Sequence, residues 1–245
     1  MQLDELCHFC DDYLSIDEFK DFCPNGLQVE GKSNINHLVT GVTASLELIN
    51  AAIEQNADAI LVHHGYFWKG EAQPIVGYKG NRIRSLMQND ISLLAYHLPL
   101  DFHPTVGNNA QLAQRMGWLV TEQKDSLWIG EVSEPGSVDN VLDDLGEKID
   151  SNPLLIVGSD RPVHRIAWCT GAAQSYIEQA AELGVDLFIS GEISEQTVHI
   201  ARELGIHYIA AGHHATERYG VQALGQLIAS RFSIYHEYIE IDNPV

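Results

Sequence analysis

The stretch HLVTGVTASLELINAAIEQNADAILVHHG, residues 37–65, decides the fold. Its first seven residues, dominated by apolar and β-branched types, read as a buried strand. SLELINAAIEQN (45–56) switches to helical spacing, with Ser45 in N-cap position. DAILVHH (58–64) returns to strand character. A strand, a helix and a second strand of this kind form a parallel βαβ unit, buried on both faces. The pattern continues outward: NRIRSLMQND (81–90) predicts a helix, ISLLAYH (91–97) a strand and NAQLAQRMG (109–117) a further helix.

The second half repeats the scheme. HRIAWCTGAAQSYIEQAAELGVDLFISGE (164–192) lies over 37–65 with strand, helix and an aspartate-opened strand in the same order. A third unit, EQTVHIARELGIHYIAAGHH (195–214), again ends on a histidine pair. The fold expected is α/β: two intertwined, duplicated units of mostly parallel strands covered by helices. The first unit, 1–125, carries His63, His64 and Asp101, and the second, 126–245, carries His213 and Glu217, with an approximate boundary. The stretch 133–162, rich in Asp, Ser, Gly and Pro, reads as the connection.

Composition narrows the function. With 34 acidic against 14 basic residues the formal charge is −20, which repels duplex nucleic acid from most of the surface. No apolar run approaches the ~18 residues of a membrane span, and the acidic start MQLDELCHFCDDYLS lacks a basic leader, so the expected location is the cytoplasm and no membrane partner is expected. The four cysteines suit a reducing compartment, and Cys7 and Cys10, on one face of an apparent first helix, read as core thiols. No phosphate loop of GxxxxGK[ST] type, no GxGxxG fingerprint and no GxSxG elbow occurs, which argues against kinase and serine-hydrolase chemistry.

Histidines gather instead where α/β sheets bind ligands, at the carboxyl ends of strands: His63, His64, His97, His213 and His214. HLPLD places Asp101 four residues beyond His97 in a proline-containing loop, and HHATE places Glu217 four beyond His213 where a helix starts. Mixed imidazole and carboxylate donors suit zinc, iron, manganese or similar divalent ions. Adjacent residues on a strand diverge, so His63 and His64 are expected to serve different ions of a two-metal site. GYFWKG (65–70) reads either as a buried aromatic loop or as a substrate contact, with Tyr66 and Trp68 stacking a base and Lys69 meeting a phosphate. Glu192 is a candidate partner behind a ligand. His103, His199, His207 and His214 read as structural or surface residues.

PNGLQVEG (24–31), GVTAS (41–45), DAILVHHGYFWKG (58–70), YHLPLDFHPTVGNNAQLA (96–113), GEISEQTVHIARE (191–203) and AAGHHATERYG (210–220) together resemble the Nif-three-like family, whose members are often labelled GTP cyclohydrolase type 2 homologs. The resemblance implies a dinuclear metal site, two divalent ions per chain, and a toroidal hexamer built from dimers. It places the ligands on His63, His64, Asp101, His213 and Glu217, with His97 near the metals as a candidate proton shuttle, and it favours His213 over His214. Two function classes follow. One is a metal-dependent hydrolase that opens a purine nucleotide such as GTP, or acts on a damaged nucleotide, through a metal-activated water. The other is a non-catalytic metal chaperone, insertase or regulatory scaffold.

Overall fold

Two aspartates make the internal repeat physical in the computed structural model, which describes residues 1–245. Asp58 Oδ2 accepts the N–H groups of Asn36 (3.0 Å) and His37 (3.2 Å), at the start of the preceding strand. Asp186 Oδ2 does the same for His164 (3.1 Å) and Arg165 (3.0 Å). Amides at the start of a parallel strand have no partner within the ladder, and each carboxylate takes two.

The chain divides into two units, Met1–Gly107 with Arg218–Asp242, and Asn108–Glu217 with Asn243–Val245. In the first, α1 (Leu3–Tyr13) precedes β1 (Gly26–Val29), β2 (His37–Thr43), α2 (Leu46–Glu54), β3 (Ala59–His64), α3 (Gly77–Gln88), β4 (Ser92–Ala95) and the short α4 (Leu98–Phe102). Ser45 caps α2 as expected, its hydroxyl accepting from Leu48 N–H at 3.1 Å.

The second unit holds α5 (Asn108–Met116), β5 (Leu119–Lys124), β6 (Leu127–Gly136), α6 (Val138–Lys148), β7 (Leu154–Ile156), β8 (Val163–Trp168), α7 (Ile177–Glu182), β9 (Leu187–Ser190), α8 (Glu195–Leu204) and β10 (His207–Ala210). The long α9 (His213–Phe232) contributes its first five residues to the second unit and the rest, with β11 (Tyr235–Tyr238), to the first.

The first sheet runs β1-β4-β3-β2-β11, parallel except for β1 at its edge. Alternate residues of its strands enter two cores. Leu38, Leu61 and Leu94 join α1 and the apolar face of α9, while Val39, Ile60, Val62 and Leu93 join α2 and α3. This double burial explains why the strands read as unbroken apolar runs.

The second sheet runs β5-β6-β8-β9-β10-β7. Its parallel centre, β8-β9-β10, repeats β2-β3-β4. It is flanked by antiparallel β5 and β6 on one side and β7 on the other. Residues 125 and 126, where the sequence reading set its boundary, form the turn between β5 and β6 inside this unit.

Two expectations are corrected. The connection expected over 133–162 holds α6 and the edge strand β7. Its polar composition masks Val138, Val141 and Leu145, which are buried along one helical face, and Ser137 caps that helix through Asp139 N–H. The loop expected around Asp101 is helical: Leu100 and Asp101 N–H both donate to His97 O, at 2.9 and 3.1 Å. Pro99 fits there because a first-turn residue needs no N–H partner.

Candidate functional site

In the first unit, three histidines collect at the carboxyl ends of β3 and β4. His63 is fully buried, and its Nδ1 lies 2.9 Å from Tyr96 O. A carbonyl only accepts, so Nδ1 carries the hydrogen and Nε2 presents a lone pair. That Nε2 stands 3.5 Å from Oδ1 of the buried Asp101. His64 Nδ1 bonds the Thr43 hydroxyl at 3.2 Å.

His97 Nδ1 donates to Asp21 Oδ1 at 2.7 Å, while Asn25 Oδ1 accepts the His97 backbone N–H at the same distance. Burial pushes the Asp21 carboxyl up, but hydrogen bonds from His97 and Asn25 and the nearby imidazole outweigh it and bring the carboxyl down to about 2. Asp21 also accepts the N–H groups of Phe22 and Leu98, so it is a fixed anion that orients His97.

The rings of His63 and His64 both reach the space beside His97. Their ring centroids are 4.6 Å apart, and one ligand atom each from His63, His64 and His97 all lie within 4.8 Å of one another. Alternation fixes the direction of each Cβ, not of the ring beyond it. His64 is the last residue of β3, and no following rung holds the imidazoles apart.

The aromatic loop divides between the two readings. Tyr66 is a core residue, its hydroxyl donating to Ala44 O at 2.8 Å, and it is withdrawn as a substrate contact. Trp68 is half-buried, tied through Nε1 to Gly65 O at 3.1 Å, with its ring edge-on to His97 at 5.0 Å. Lys69 is exposed.

In the second unit, His213 opens α9 and Glu217 stands one turn on, with Nε2 3.0 Å from Oε2. Glu217 is buried. His213 Nδ1 lies 2.7 Å from Glu192 Oε1. Burial alone would lower the His213 pKa, but the hydrogen bonds and charges of Glu217 and then Glu192 raise it to about 9. Two carboxylates facing one imidazole suit a positive charge there.

Backbone geometry makes the room. Gly171 has φ +69°, and a Cβ there would run into Glu217 Oε1 and stand 3.2 Å from His213 Nε2. A Cβ on Gly191 would meet His213 Cα at 2.6 Å. The Gly171 N–H is held by the Thr216 hydroxyl at 3.1 Å, and that hydroxyl donates to His213 O at 3.0 Å.

These donors fit divalent cations. Metal-binding imidazoles characteristically spend one nitrogen on an oxygen acceptor, and buried carboxylates need a compensating charge. Glu192 faces His213 Nδ1 and occupies the position in the repeat matching His64, six residues after the strand-opening aspartate in both cases. Asp21 and Asn25 escaped the sequence reading because nothing periodic marks them; an Asp four residues ahead of Asn in a Pro-Asn-Gly turn was the available signal. Of the histidines read as structural, His103 caps a turn through Thr105 and Val106 N–H, His207 is buried and His199 exposed.

A model of the Duf34/NIF3 (NGG1p interacting factor 3) family matches residues 1–244. A protein of Allochromatium vinosum named GTP cyclohydrolase 1 type 2 homolog is 53% identical over 245 residues, covering 98% of this chain and 96% of its own. A Pseudomonas aeruginosa protein of the same name is 52% identical over 248 residues, covering 99% and 98%. Among solved structures, one described as protein ybgI, of unknown function, superposes with a TM-score of 0.98 at 45% identity, covering 100% of both chains. A Thermus thermophilus protein follows with a TM-score of 0.93 at 33% identity, again covering 100% of both.

Proposed function

The chain belongs to the Duf34/NIF3 family, and from that premise we propose that it holds two divalent ions per chain and uses them to hydrolyse a purine nucleotide or a damaged nucleotide. His63, His64 and Asp101, with His213 and Glu217, are the ligands of this reading. The observation that carries it is shared by four imidazoles: His63, His64, His97 and His213 each spend Nδ1 on an oxygen. Nε2 is thereby left as the donor atom, with its direction fixed before any ion arrives.

Divalent ions in these positions supply Lewis acidity that makes hydroxide from water near neutral pH. The chain's own residues do the rest. Asp101 and Glu217 offset the positive charge. His97, held by Asp21 with its hydrogen on Nδ1, takes and returns a proton through Nε2. The indole of Trp68 packs edge-on against His97, and the exposed Lys69 ammonium is placed to meet a phosphate. The name of the two bacterial relatives, GTP cyclohydrolase 1 type 2 homolog, supports a GTP cyclohydrolase-like activity.

One observation favours the alternative, a chaperone, insertase or regulatory scaffold that passes ions to a partner. His213 is 25% exposed and its partner Glu192 33%, an open rim through which a ligand can exchange. Turnover separates the two. Protein loaded in turn with zinc, iron and manganese is screened against purine nucleoside triphosphates and oxidised nucleotides. Metal-dependent hydrolysis lost in His97→Ala supports the hydrolase. Full metal occupancy with no turnover on any of them moves the reading to ion transfer.

A further inference from the structure

Just beyond the strand that ends in His63 and His64, Phe67 takes a left-handed backbone conformation, φ +65°. For a bulky side chain this is strained, and such strain persists only where the surroundings impose it. Here a specific device does so. The Glu71 carboxylate accepts the N–H groups of Phe67 (3.1 Å) and Trp68 (3.2 Å) and pairs with Lys79 Nζ at 2.9 Å. Lys79 is buried, and its ammonium lies over the Phe67 ring, 4.9 Å from the centroid.

With Lys79 buried and Glu71 partly exposed, the pair contributes little net stability, because desolvation of the lysine offsets much of the attraction. Its effect on this loop is to push one aromatic ring outward: Phe67 remains 37% exposed. The ring is backed on one face by a cation, which draws on its π-density and leaves the other face suited to an electron-rich ring. Phe22, 59% exposed, is tied to the same loop through Lys69 N–H, which donates to Phe22 O at 2.6 Å. Trp68, the next residue, is in contact with His64 and His97, with ring centroids 6.0 and 5.0 Å away. Exposed rings, a strained backbone and a partly buried latch thus stand beside the histidine cluster.

We propose that Phe67, backed by the Lys79 ammonium, is the stacking platform for a planar heteroaromatic ring of the substrate, a nucleobase in chemical class, and that the Glu71–Lys79 pair exists to hold it there. The inference rests on the nucleotide reading above and adds its specificity element.

Calorimetric titration of guanosine, GTP and inorganic triphosphate into wild type, Phe67→Gly and Phe67→Tyr tests it, with metal content measured on the same samples. Glycine accepts the left-handed conformation without strain, so Phe67→Gly should melt at or above wild type. It should nevertheless bind GTP roughly 5- to 100-fold more weakly, the range of one lost base–aromatic stack. Guanosine binding should vanish with it, triphosphate binding should stay unchanged, and Phe67→Tyr should retain wild-type affinity. Wild-type GTP affinity in Phe67→Gly, or a wild type that binds triphosphate as tightly as GTP, would overturn the platform. Full metal content without ring dependence removes the platform and leaves the metal reading standing. Ring-dependent binding by a protein that takes up no metal does the reverse.

Discussion

Replacing Gly171 with alanine separates the cost of a backbone conformation from the loss of a metal site, because the chain supplies a matched control. Gly171 and Gly184 share nearly the same backbone angle, φ +69° and +70°. At Gly184 the nearest atom to an added methyl is Arg165 Nη1 at 3.9 Å, whereas at Gly171 the methyl meets the Glu217 carboxylate and His213 Nε2. Both alanine variants therefore incur the left-handed penalty, about 1–2 kcal/mol. For a chain of this size that lowers Tm by roughly 2–8 °C in each. Gly171→Ala alone must also swing Glu217 away from His213, breaking a charge-assisted contact of roughly 1.5–3 kcal/mol. Displacing Glu217 also removes a donor from the proposed ion, so Gly171→Ala should lose ion affinity as well as stability. The assay is elemental analysis after dialysis against limiting zinc or manganese, with chelator competition for the affinities. Gly184→Ala should hold metal as wild type does, and Gly171→Ala should be depleted. Equal metal content in the two variants would refute the assignment of the space beside Gly171 to a cation.

Other outcomes follow from the same geometry. Glu217→Ala should lose metal, whereas His97→Ala and Asp21→Asn should retain it and lose turnover; a His97→Ala protein as empty as Glu217→Ala would make His97 a ligand instead. Asp58→Ala should cost about 0.5–1.5 kcal/mol for each of the two strand-opening amide bonds it removes. Its pH dependence has a definite sign: burial pushes the Asp58 carboxyl up, but Lys32 and the amides of Asn36 and His37 bring it below its ordinary 3.8. The stabilisation is then complete above about pH 4 and lost as pH falls through the folded-state value, so urea midpoints of wild type and Asp58→Ala should converge in acid. Light scattering at micromolar concentration should report the hexamer implied by family resemblance, and a persistent monomer would contradict it.

The parallel core was legible because double burial writes itself as unbroken apolar runs. Residues 37–43 are β2 to the residue, Ser45 does cap α2, and the repeat read from Asp58 and Asp186 corresponds to two identical carboxylate clamps. His213 and Glu217 were legible for a related reason: four-residue spacing at a helix start places two side chains together whatever surrounds them. What escaped depends on tertiary context. Asp21 reaches His97 from 76 residues away, which no local pattern encodes. Tyr66 and Trp68 stand two apart in one aromatic run, yet one hydroxyl finds Ala44 O in the core while the neighbouring indole stays at the rim. Strand alternation describes the Cβ directions of His63 and His64 and leaves their ring positions, with centroids 4.6 Å apart, to the local packing. The antiparallel flanks of the second sheet were missed because edge strands such as β5, exposed along its length, lack the apolar run that marked the core.

The central claim is best tested by elemental analysis of the untagged protein, purified without chelator and then titrated to saturation with zinc, iron or manganese. The account predicts uptake that saturates at two divalent ions per chain, falling sharply in Glu217→Ala. Saturation at a single ion, or wild-type uptake in Glu217→Ala, would contradict it.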